Sequence, residues 1–292
     1  MVRKLSRGDI GYLAVCYLVT TLAGLMCLYP LLHVLFSSFS EGEALACHTG
    51  VMFRPAGFSL RGYQLVLKNR NIPIGYFNTL LNMALGTALN MLMTVVGAYA
   101  LSRKGYMFRR TITLLIVFTR SFSGGLIPNF LLVQQLGLYN TRWALMIPGA
   151  VTTWNLVVMK TCFQSLPASL EEAARIDGAR ELTVLFRIIL PVSTSTVAVI
   201  ALFYAVGHWN SWFNAMLYLQ NRALYPLQLF LREALISNSP TGAIEDPDSE
   251  TLYIEEVIRN ATIIVSTLPI LCAYPFVQRY FVTGVMLGSI KE

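Results

Sequence analysis

From Ile10 to Ser40 the chain contains no Asp, Glu, Lys or Arg. Such a run exceeds the roughly 20 apolar residues that cross a bilayer. In lipid every backbone N–H and C=O must be paired within the chain, which leaves the α-helix as the simplest solution. Similar runs recur along the 292 residues, and composition agrees: 55% of residues are hydrophobic and 13% are charged. A soluble domain carries about 25% charged residues. These values point to an integral membrane protein and away from a soluble enzyme, a disordered chain or a disulfide scaffold. Cys16, Cys27, Cys47, Cys162 and Cys272 form no CxxC and no regular spacing, so they read as small apolar residues rather than metal ligands.

Six spans are predicted, at roughly 12–36, 77–101, 111–133, 143–163, 196–219 and 260–281. Arg3, Lys4 and Arg7 precede the first, as in a signal peptide. The apolar run is far longer than an h-region of about 7–15 residues, so the expectation is an uncleaved anchor. The net charge of +7 is read through orientation. With both termini cytoplasmic, thirteen Lys and Arg fall inside and eight outside, with Arg120 left within the third span. That bias favours both ends inside. Two external segments are long: 41–71, which is mixed, and 221–257, which is acidic through Glu233, Glu245, Asp246, Asp248, Glu250, Glu255 and Glu256. No domain boundary is visible, so the chain is expected to be one all-α transmembrane domain.

Between the fourth and fifth spans, residues 164–191 form a cytoplasmic loop rich in helix signals. Ser169 reads as an N-cap, with Glu172 completing a capping box. Glu171 and Glu172 suit the first turn of a helix, Ala173 and Ala174 favour its body, and Gly178 suits a left-handed stop. A second helical stretch runs to Leu190, before Pro191. One reading is a solvated connecting helix. The other is a docking element whose small-residue face fits a partner's groove.

The spacing carries a resemblance. Glu172-Ala173-Ala174, three residues, Gly178, nine residues, Ile188, one residue, then Leu190-Pro191 resembles the EAA loop of bacterial ABC importer permeases. Phe122–Phe130, Gly137–Trp143 and Gln278–Gly284 are similar to the carbohydrate-uptake class, and within it to the second permease of polysaccharide and oligosaccharide importers of the maltose type. The resemblance implies six spans in a bacterial cell membrane and pairing with a homologous permease. It also implies two ATPase subunits beneath, which hold ATP and Mg, and a solute-binding protein outside. By that correspondence Glu172, Ala173, Ala174 and Gly178 form the coupling element, flanked by Glu171 and Asp177. The tail residues Gly288, Ser289, Ile290 and Lys291 would reach the ATPases, although the chain ends in Lys-Glu where relatives often end in glycine. This chain itself would hold no cofactor.

No P-loop, HExxH, GxSxG or zinc-spaced Cys/His set occurs, so neither nucleotide binding nor a familiar hydrolase chemistry is encoded. The fifth span carries His208, Trp209, Asn210, Trp212 and Asn214. Flat apolar faces beside amides suit a sugar path, but Trp is also an interfacial anchor and Asn a helix glue; both readings stand. Arg120 is costly in lipid, about 3 kcal/mol on insertion scales. It would face the path, pair across a permease interface or snorkel. Gly124, Gly125 and Pro128 should loosen the helix after it. The alternative function is a stand-alone secondary transporter. That class usually places several charges in mid-membrane, and only Arg120 qualifies.

Overall fold

The computed structural model describes residues 7–103, 105, 107–122, 124–236, 254–272 and 275. Among these, every regular element is a helix or helical turn, with no strand. The first charge-free run becomes α1 (Arg7–Ser38), 32 residues with Pro30 inside. It is apolar on all sides, as spans are, and the rest of the chain covers none of its apolar window. The short helices α2 (Gly42–Ala46) and α3 (Arg61–Lys68) follow.

The chain divides into two compact units: Met1–Arg70 with Glu233–Pro269, and Asn71–Arg232 with Ile270–Glu292. In the first, Leu45, Met52 and Val257 form a small core. Phe39 stacks on Phe58 at 5.9 Å, and Ser38 Oγ meets the Tyr63 hydroxyl at 2.8 Å.

The second unit is built on α4 (Asn71–Ser102), an unbroken helix of 32 residues. Asn78, Asn82, Gly86, Asn90, Thr94 and Ala98 are all buried. A spacing of four puts them on one helical face, a stripe of small and polar groups of the kind that lets membrane helices approach and hydrogen-bond. Around it come α5 (Arg109–Ser121), α6 (Leu126–Gln135), α7 (Thr153–Ser165), α8 (Ser169–Ile176), α9 (Glu181–Val184), α10 (Leu190–Val192), α11 (Thr194–Trp209), α12 (Trp212–Tyr218) and α13 (Leu227–Ile236). Residues 254–272 form a last helix.

Helices α7 and α11 pack on the α4 stripe. Thr94 Oγ1 and the Tyr204 hydroxyl share a 2.7 Å hydrogen bond, and Asn90 Nδ2 donates to Gly149 O at 3.2 Å. The His208 ring lies on Gly86 so closely that a Cβ there would sit 2.4 Å from its Nε2.

Among the described residues two helices, α1 and α4, are long and apolar enough alone to cross a membrane, and up to four spans result if each bent pair counts as one. Three predicted spans therefore need correction. The third is two helices, α5 and α6, bent by 117°, because Gly124 and Gly125 lie between them and Gly125 adopts φ 92°. The fourth is helical only from Thr153; residues 142–145 form a 3₁₀ turn, and the chain to Thr152 is irregular. The fifth breaks after Trp209, where Asn210 ends α11 and turns its Nδ2 back onto Val206 O at 3.1 Å. The Asn210 N–H still makes its ladder bond to Val206 O, and the ladder changes at the next residue, where the Ser211 N–H reaches His208 O at 3.3 Å. The sixth span is described only to 272.

Candidate functional site

The cytoplasmic loop predicted between spans four and five is held against the end of α4. Helix α8 begins after Ala168, not with Ser169 as N-cap. Backbone carbonyls of Pro167 and Ala168 receive the amides of Leu170, Glu171 and Glu172, so the capping box is not formed. Ser169 is the first helical residue and makes no cap bond.

The stop is as predicted. Gly178 adopts φ 77°. Its N–H reaches Arg175 O at 3.0 Å, and the Ala179 N–H reaches Ala174 O at 2.9 Å. This is a Schellman closure, which satisfies the last carbonyls and needs a left-handed residue at the turn.

The two faces of α8 differ. Ala174 is buried in an apolar cluster with Val95, Ala98, Tyr99 and Leu101 of α4 and Leu156, Met159 and Phe163 of α7. Glu171 is half-buried and forms an ion pair with Arg103, one residue past α4. Glu172, Ala173, Asp177 and Gly178 are exposed, and Ile176 is 86% exposed.

Charged groups bind the inner face. The Tyr99 hydroxyl donates to Glu181 Oε2 at 2.7 Å. The Arg103 guanidinium lies 4.4 Å above the Tyr99 ring, and Arg175 pairs with Glu181 at 2.7 Å. Burial pushes the Arg103 pKa down, while Tyr99 and Glu181 oppose that shift. A cavity of about 780 Å³ opens among these groups, lined also by Arg109, Phe163 and Glu172.

The remaining candidates are dispersed. Arg120 is exposed, with its guanidinium 5.4 Å from the Trp154 ring. His208 is half-buried, and Trp209 is buried edge-on to Tyr76 at 6.5 Å. Trp212 lies 3.8 Å beneath the Arg232 guanidinium. Asn210 and Asn214 are exposed on either side of the α11–α12 break. Gly288, Ser289, Ile290 and Lys291 lie outside the described residues, as does 237–253 of the acidic segment.

Sequence reasoning missed Tyr99, Arg103 and Glu181, since nothing local marks them. It also missed Asn140 within Gly137–Trp143. Asn140 adopts φ 56° and accepts from the Gln220 and Asn221 amides at 2.9 Å each. Its own N–H donates to Tyr218 O at 2.8 Å.

Residues 91–238 match the family described as binding-protein-dependent transport system inner membrane component. The chain belongs to this family. It is 39% identical over 268 residues to the polygalacturonan/rhamnogalacturonan transport system permease protein YtcP of Bacillus subtilis, covering 91% of this chain and 93% of that protein. It is also 39% identical to Protein LplC of the same organism over 272 residues, 92% and 90% of the two chains. A solved bacterial ABC transporter involved in the import of the acidic polysaccharide alginate superposes with TM-score 0.86 at 31% identity, over 94% of this chain and 98% of that one. The chain is thus a permease subunit of an ABC importer, a membrane transport component and not an enzyme.

Proposed function

We propose that this permease imports an oligosaccharide or polysaccharide fragment and that α8 is its coupling helix. Glu171, Glu172, Ala173, Ala174, Asp177 and Gly178 then transmit ATPase closure to the membrane. One observation carries the reading: α8 is pinned from within by Ala174 and Glu171, yet presents Glu172, Ala173, Ile176 and Asp177 outward. A helix anchored on one face and bare on the other suits a groove in a partner.

The partners in this reading are a homologous second permease, two ATP-binding subunits that hold ATP and Mg, and an external solute-binding protein. The chain forms one transmembrane domain of six spans in a bacterial cell membrane, with both termini cytoplasmic. The third and fifth spans are broken ones, a form tolerated where backbone faces protein or a water-filled cavity. The path runs past Arg120 and past His208, Trp209, Asn210, Trp212 and Asn214. The exposed amides of Asn210 and Asn214 contact sugar, while the buried Trp209 shapes the wall. The tail from Gly288 to Lys291 reaches the ATPases, and the acidic external segment meets the binding protein.

The substrate class rests on the relatives' names, and the coupling role on α8. Gly178→Asp tests the latter. Nothing lies within 4 Å of a Cβ at 178, so the added carboxylate projects away from the chain. The variant is expected to insert and assemble but to lose ATP-driven uptake. Wild-type uptake would overturn the role.

A further inference from the structure

The coupling helix connects to the membrane by two routes. Along the chain, α8 leads to α11 through Glu181–Val192. That stretch contains a π turn over Leu185–Ile189 and meets α11 at 89°. Across space, α8 meets α4 directly. Glu171 pairs with Arg103, Arg103 covers the Tyr99 ring at 4.4 Å, Tyr99 holds Glu181 at 2.7 Å, and Arg175 of α8 returns to Glu181 at 2.7 Å. The five side chains, joined through α8, close a ring around the end of α4, beside the apolar cluster that includes Ala174.

The far end of α4 is also fixed. Asn78 accepts from Arg142 at 2.7 Å and donates to the Ala223 and Tyr225 carbonyls at 2.8 and 2.9 Å. Thr79 Oγ1 accepts from the Leu227 amide at 2.9 Å. Both ties lie on one unbroken helix of 32 residues, and Asn78 and Tyr99 are about 32 Å apart along it at 1.5 Å per residue. The other route has kinks, and kinks at π turns are where helices yield.

We propose that α4 is the rod that carries coupling-helix displacement across the membrane to the loops at Arg142 and Ala223, with Tyr99, Arg103 and Glu181 as the positioning residues that make it follow α8. The proposal rests on the reading of α8 as the docking helix. Rigid secondary elements bonded at both sites are among the structures that can carry such coupling.

The test uses the whole importer in proteoliposomes and reads substrate imported per ATP hydrolysed, with assembly followed by co-purification. Tyr99→Phe keeps the ring and removes one hydrogen bond to a carboxylate; Glu181→Gln removes the charge. Each is expected to lower import per ATP about tenfold, the scale of one charged hydrogen bond, at unchanged assembly. Arg103→Glu should do the same, and Arg103→Glu combined with Glu171→Arg should recover part of the loss. Gly178→Asp serves as the reference. If it uncouples while the Tyr99 and Glu181 variants keep the wild-type ratio, the rod is refuted and docking stands. If Gly178→Asp is itself wild-type, the docking reading fails. Loss of assembly in Tyr99→Phe would make the ring purely structural and overturn the positioning role.

Discussion

Gly178 and Gly86 are required for different reasons, and only one of them is visible locally. Gly178 ends α8 in the left-handed region, where an L side chain costs about 1–2 kcal/mol. Its place after Glu172-Ala-Ala and before a second helix marked it as a stop. Gly178→Ala should therefore lower stability by about 1–2 kcal/mol with little loss of uptake, unlike Gly178→Asp; thermal unfolding of the purified permease measures the first effect. Gly86 is set by a ring from a distant helix. Its absent Cβ makes room for His208, and no pattern near residue 86 reports that. Gly86→Val should overpack the α4–α11 contact at a cost of about 1–3 kcal/mol. Adding His208→Ala should return most of the lost stability in the same melt; a double variant as unstable as the single would place the strain elsewhere. Ser169 shows the reverse error. Its sequence fits a capping box with Glu172, but the carbonyls of Pro167 and Ala168 already take the amides a cap would serve.

At the scale of elements, hydropathy located the apolar runs but not where they break. The bend after α5 was legible because Gly124, Gly125 and Pro128 weaken a helix whatever surrounds them. The α11–α12 break was not, because Trp209-Asn-Ser-Trp212 can equally be a polar helix face; the ladder ends only where the Ser211 N–H bonds His208 O and the Trp212 N–H bonds Asn210 O. The fourth span was placed too early for a related reason. Residues 143–152 are apolar enough for a helix, but Asn140 ties the preceding turn to residues 218–221. Both Asn and Asp tolerate the left-handed region, and both offer the accepting oxygen. Asn140→Asp should thus melt near the wild-type temperature, whereas Asn140→Ala gives up the acceptor of two exposed amides and should lose about 0.5–1.5 kcal/mol. Equal melting of the two variants would show that the turn, not the side-chain oxygen, holds this junction. The ring of Tyr99, Arg103, Glu171, Glu181 and Arg175 was invisible for the same physical reason as Gly86: its members come together only when α4 and α8 meet.

For the whole molecule, the distribution of Lys and Arg is the longest-range statement the sequence makes. By the positive-inside rule it predicts both termini and α8 on one side of the membrane. Reporters fused to each end should both be active only in the cytoplasm, and a split result would invert the assignment of α8. In the proposed function the outward face of α8 docks an ATPase subunit. The direct measurement replaces Ile176, 86% exposed and without cover, by a photo-crosslinking residue in cells that express the complete importer. Irradiation is expected to yield one dominant adduct with the ATP-binding subunit, sharpened when ATP is trapped. An importer that assembles and transports but gives no such adduct from position 176 would contradict the claim.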